Sequence, residues 1–159
     1  MKKIIYILIL TLSLTNTSFA ASTSSGSSNS DYAKAYNLIK SAKKYEKKGN
    51  TEKAQKKYVK AQKLLLKSNK DKPLQADTLN YLGFTTRKLG DYKKGEEFYL
   101  EGLKIDPNHK GINEYLGELY VVTNRLDLAK ERLEVLKACN CEEFKELKEI
   151  INGTKKSKY

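Results

Sequence analysis

Between positions 31 and 151 apolar residues return every three or four positions, and the residues between them are mostly Lys, Glu and Asn. That period is the mark of amphipathic helices. The breaks are few and evenly placed: Gly49-Asn50, Pro73, Gly90-Asp91, Asp106-Pro107-Asn108, Asn124 and Asn140. Gly and Asn tolerate the positive φ with which many helices end. After the last break, Phe144, Leu147, Ile150 and Ile151 form one apolar stripe, which predicts a terminal helix over 141–152. Asn140 and Glu143 have the spacing of a capping pair for that helix. The basic tail 153–159 is expected to fray. Two stretches near the start lack the helical period. Positions 4–14 are an apolar run, and positions 21–30 contain no large apolar side chain.

The breaks repeat. Gly49-Asn50-Thr51-Glu52-Lys53-Ala54, Gly90-Asp91-Tyr92-Lys93-Lys94-Gly95 and Asn124-Arg125-Leu126-Asp127-Leu128-Ala129 share one plan. Each ends a helix and places a small residue five positions on, where two helices can approach closely. The spacings are 41 and then 34 residues. Leu82-Gly83 and Leu116-Gly117 precede their turns by the same distance, and Ala42 holds that place in the first unit. Tyr58, Tyr99 and Leu133 follow each small residue by four, and Ala61, Gly102 and Leu136 come three later. Fixed periods of this length mark solenoids of helix pairs.

The pattern resembles the tetratricopeptide repeat. The middle unit, 76–109, carries Leu82, Gly83, Gly90, Tyr92, Tyr99 and Pro107 of that signature; it departs at Thr86, Gly95 and Gly102. The first unit, about 35–75, keeps Ala42, Tyr45, Gly49, Ala54, Tyr58 and Ala61, with seven extra residues after its second helix. The third, 110–140, keeps Leu116, Gly117, Tyr120 and Ala129. The resemblance implies an all-α fold: a short right-handed superhelix of three antiparallel helix pairs, closed by the terminal helix. Solenoids need such a helix to cover the core of the last repeat. The end of the chain also resembles a group of small exported bacterial tetratricopeptide proteins, through Leu133, Leu136, Cys139, Cys141, Glu142, Glu143 and Leu147. That likeness implies no catalytic activity.

The opening residues change where the fold is expected to work. Met1-Lys2-Lys3 is a basic head, the apolar run at 4–14 follows, and Ser18-Phe19-Ala20 has the small-x-small form of a cleavage site. This is the plan of a signal peptide over 1–20. A membrane span needs about 20 apolar residues, more than this run supplies. The short basic head and core have the bacterial style, so the mature chain is expected in the periplasm. Residues 21–30, rich in Ser, are expected to be a flexible linker. The folded domain should occupy 31–152.

The net charge of +12 is unevenly spread. Residues 31–75 hold fourteen Lys against four acids, whereas residues 76–159 hold fifteen Lys and Arg against fifteen acids. Such an excess suits an acidic protein or an anionic membrane surface, or it is a solvated face. Nucleic acid is disfavoured by export, by the scarcity of Arg, and by the lack of stacking aromatics among glycine-rich motifs.

Candidate chemistry is sparse. With one His, two Cys and one Met, most metal and triad sites lack raw material. His109 reads as an exposed loop residue, with no nucleophile or carboxylate pair sharing an obvious site. No phosphate-cradling glycine loop is present. The chain reads as non-catalytic, with no cofactor and no metal. Cys139 and Cys141 are close enough to pair in an exported protein; free or intermolecular thiols and a redox role are the alternatives.

In the tetratricopeptide repeat the first helix of each pair lines the concave face. The register puts Tyr36, Ile39, Lys43, Glu46 and Lys47 there from the first unit. The second gives Asp77, Asn80, Phe84, Arg87 and Lys88, and the third Gly111, Glu114, Glu118, Val121 and Val122. The groove then grades from basic to acidic, with Ile39 and Phe84 as apolar anchors and Lys43, Lys47 and Arg87 facing solvent. An exported scaffold is expected, holding a protein or peptide, an acidic segment among the candidates. The alternatives are attachment to an anionic envelope surface through the Lys-rich first unit, and a thiol accessory role at Cys139 and Cys141.

Overall fold

The computed structural model describes residues 30–157; the segments read as signal peptide and linker, up to residue 29, and the last two residues of the tail lie outside them. Seven α-helices follow in chain order: α1 Asp31–Lys47, α2 Thr51–Asp71, α3 Ala76–Lys88, α4 Tyr92–Ile105, α5 Lys110–Val122, α6 Leu126–Leu136 and α7 Glu142–Ile151. A 3-10 turn, Lys137–Cys139, joins the last two, and no strand occurs among the described residues. The helices pack as antiparallel pairs, α1 with α2, α3 with α4 and α5 with α6, and α7 packs on the third pair. No helix among the described residues is long and apolar enough to cross a membrane.

Local chemistry accounts for the element ends. Gly49, Gly90 and Asn124 take positive φ at equivalent turns. Asn50 and Asp91 then accept a backbone N–H three residues on, at 3.1 and 2.9 Å, starting α2 and α4. Such caps satisfy donors that the first helical turn leaves unpaired. Ser30 caps α1 in the same way. Asn140 departs from expectation. It adopts left-handed backbone inside the disulfide-bonded Cys139-Asn140-Cys141 ring, and the N-cap falls on Cys141, which makes no side-chain cap bond.

Packing follows the small residues. A Cβ built at Gly83 would lie 2.5 Å from Cε1 of Tyr99, so α3 meets α4 face on across that ring. Gly117 does the same for α7: its added Cβ would lie 2.5 Å from a methyl of Leu147. The terminal helix thus seats its apolar stripe on α5, and Leu147 and Ile150 are buried there. One core runs through the stack, with Ala42, Tyr58, Leu82, Tyr99, Leu116 and Leu119 among its members.

The tail does not fray at once. Gly153, at φ +73°, turns the chain after α7, and the Thr154 N–H donates to the Glu149 carbonyl at 3.0 Å. The segment folds back along α7. Lys155 Nζ reaches Glu146 at 3.0 Å, and Ser157 donates its hydroxyl to Glu118 on α5 at 3.3 Å.

Candidate binding groove on the inner helices

Helices α1, α3 and α5 carry the residues assigned to the concave side, and the structure fills much of that side with their own contacts. Lys43 Nζ stands 4.4 Å from the Phe84 ring centroid and 5.4 Å from that of Tyr115, and it donates to the Tyr115 hydroxyl at 3.1 Å. The two rings lie 5.1 Å apart. A lysine sandwiched this way shares its charge with ring faces instead of water. Lys88 Nζ pairs with Glu46 at 2.6 Å, and Glu46 also accepts the Tyr58 hydroxyl at 2.8 Å.

Arg87 is the largest departure from the sequence reading. It was expected to face solvent; its side chain and that of Glu118 are both 0% exposed, 3.3 Å apart. Its other guanidinium nitrogen donates to the Tyr115 carbonyl. The reason is stacking: α3 and α5 approach so closely that a long side chain between them has nowhere to reach water. Ile39 and Phe84, expected as apolar anchors for a guest, are likewise core residues at 1% exposure. Asn80 and Glu114 are buried, Lys88 is half-buried, and Lys47 is exposed.

Phenols in this layer are held protonated. Burial pushes Tyr115 far above its ordinary range, and the nearby Glu114 charge adds to the effect. Burial likewise raises Tyr81 to about 12. Both remain neutral hydroxyls at physiological pH.

A polar depression of about 470 Å³ lies near the N-terminal ends of α3 and α5. Asp77, Asn80, Tyr81, His109, Glu114 and Tyr115 contribute to its wall. The buried Asn80 Oδ1 has no hydrogen-bond partner. Leaving such an acceptor unsatisfied costs roughly 1–3 kcal/mol. His109 is not the exposed loop residue expected. Its Nδ1 accepts from the Ile112 N–H at 3.2 Å as the cap of α5, and its Nε2 lies 3.1 Å from Asp77. The two bonds assign the proton to Nε2. The only sequence cue was its place just before a helix start.

Deeper in, carboxylate oxygens of Glu114, Glu118 and Glu146 gather within 4.8 Å of one another. Arg87 on Glu118 and Lys155 on Glu146 supply counter-charge to this group. Elsewhere, Cys139 and Cys141 are joined by a disulfide, with Cα atoms 5.2 Å apart.

No family model matches the chain, and no curated protein does. Among solved structures, the chain is similar to the first tetratricopeptide domain of Spaghetti (RPAP3) bound to the HSP90 peptide SRMEEVD. The TM-score is 0.53 at 21% identity, over 77% of this chain and 94% of that one. At that identity the likeness shows the fold: helix pairs stacked as tetratricopeptide repeats.

Proposed function

We propose that this tetratricopeptide-repeat solenoid is an exported, non-catalytic scaffold that holds a protein or peptide partner on its inner side. The observation that carries the reading is the polar depression between α3 and α5, walled by Asp77, Asn80, Tyr81 and Glu114. The RPAP3 domain of like fold holds a peptide. Asp77 and Glu114 on the same wall favour a guest that brings donors or positive charge. An acidic stretch, expected from the charge gradient, is poorly served here. Lys43, Arg87 and Lys88 already have partners within the chain.

The test is a photo-crosslinking amino acid placed at Tyr81 in intact cells. A discrete adduct is expected at Tyr81 and none at the exposed Glu131 on α6. Asp77→Asn with Glu114→Gln should weaken the adduct about tenfold, the size of a lost hot-spot contact. Equal adducts from both positions would defeat the groove reading.

Periplasmic residence belongs to the same proposal and rests on the first twenty residues. N-terminal sequencing of the exported protein is expected to begin at Ala21. A chain that retains Met1 and stays with membranes after alkaline washing would overturn it.

A further inference from the structure

On the outer side, α2 presents two faces. Ala54, Tyr58, Ala61 and Leu65 are buried in the core. Turned from them, Gln55, Val59, Gln62 and Leu66 form a second stripe at helical spacing, with Val59 39% and Leu66 48% exposed. This stripe forms one wall of a furrow whose other wall is the corner where α3 passes into α4. Two depressions of about 570 and 390 Å³ meet at Leu89 along it, and Phe98 closes the far end. The facing walls are therefore partly apolar: Val59 and Leu66 on one, Leu89 and Phe98 on the other. Gln62 crosses the furrow to Thr86 at 2.8 Å.

The rim is basic. Lys56, Lys60 and Lys63 line the α2 side, and Lys94 stands opposite. Lys56 pairs with Glu52 and Lys94 with Glu97. Lys60 and Lys63 enter no ion pair among the described residues. The furrow is long because the seven extra residues of the first repeat, expected after its second helix, lengthen that helix instead: α2 has 21 residues, against 14 in α4. Leu66 belongs to that overhang.

We propose that this furrow docks an acidic amphipathic helix from a protein partner. Val59 and Leu66 are seven residues apart, about 10 Å along α2 at 1.5 Å per residue. That matches the i, i+7 spacing of apolar residues on a guest helix. Acidic residues flanking the guest's apolar ridge meet Lys60 and Lys63. The apolar side chains of the two walls line depressions between them, so a ridge fits there. A bilayer surface needs apolar side chains that protrude past the charged ones. The site is separate from the inner depression and stands or falls apart from it.

The probe is a fluorescein-labelled Glu/Ala/Leu helix with leucines at i, i+3, i+4 and i+7, compared with a scrambled peptide of equal composition. Anisotropy of the mature chain is expected to report binding of the ordered peptide and about tenfold weaker binding of the scrambled one. Leu66→Ser, and separately Lys60→Glu with Lys63→Glu, should each weaken the ordered peptide about tenfold. Added salt should reduce binding and leave an apolar remainder. Asp77→Asn with Glu114→Gln should change nothing. Equal affinity for ordered and scrambled peptides, or no binding of either, overturns the proposal. So does binding to phosphatidylglycerol vesicles that is lost in the Lys60/Lys63 variant while the peptide is ignored, which would assign the furrow's rim to lipid.

Discussion

Arg87→Ala is expected to cost about 3–5 kcal/mol, the usual penalty for removing one member of a buried ion pair. Arg87 and Glu118 have no side-chain exposure, so the variant leaves a carboxylate without its nearest cation and without water. It also removes a donor from the Tyr115 carbonyl. Against a total stability of roughly 5–15 kcal/mol for a domain of this kind, the loss should move the urea midpoint and the melting temperature plainly. Arg87→Met combined with Glu118→Leu should recover most of it, because an apolar pair of similar volume often replaces a buried ion pair at no loss. A single variant within about 1 kcal/mol of the parent would mean that the pair is hydrated in solution. The same burial revises a groove experiment that the sequence invites. Reversing charge at Lys43, Lys47 and Arg87 together tests folding as much as binding, whereas Lys47 alone is exposed.

Gly83→Leu should be nearly as damaging. Even the first added carbon would stand 2.5 Å from Cε1 and 2.6 Å from Cδ1 of Tyr99. That ring is 0% exposed and has no free space to rotate into. Overpacking of this sort costs about 1–3 kcal/mol, and a leucine adds three more carbons to the clash. Gly26→Leu, in the Ser-rich stretch read as a linker, is the control and should leave the melting temperature unchanged. Equal melting temperatures for the two variants would mean that α3 and α4 meet in another register.

Gly83 and Arg87 show what a sequence makes legible. The turn residues, Gly83 and Tyr99 act within one helix pair, so their spacing repeats and periodicity exposes them. Arg87 had no such signal. Its partner, Glu118, is 31 residues away on the next pair. Nothing in a single repeat distinguishes an arginine trapped between pairs from one on a solvated face. Ile39 and Phe84 failed for the same reason. The register placed them on the inner face, and only the closeness of α1, α3 and α5 turned that face into core. Local patterning therefore specifies the solenoid, while the state of its inner surface depends on contacts between units.

The Lys43–Tyr115 hydrogen bond spans 72 positions and joins the first pair to the third. Repeat arrays are commonly treated as strings in which each unit senses only its immediate neighbours, so that end units can melt alone or be exchanged. Here the first unit clasps the third over the top of the second. The array therefore has one contact beyond nearest neighbours, and opening of the first unit must break it. A chimera that imports a foreign first repeat would need to bring a cation of the right reach for Tyr115, and a shortened chain would lose the clasp altogether.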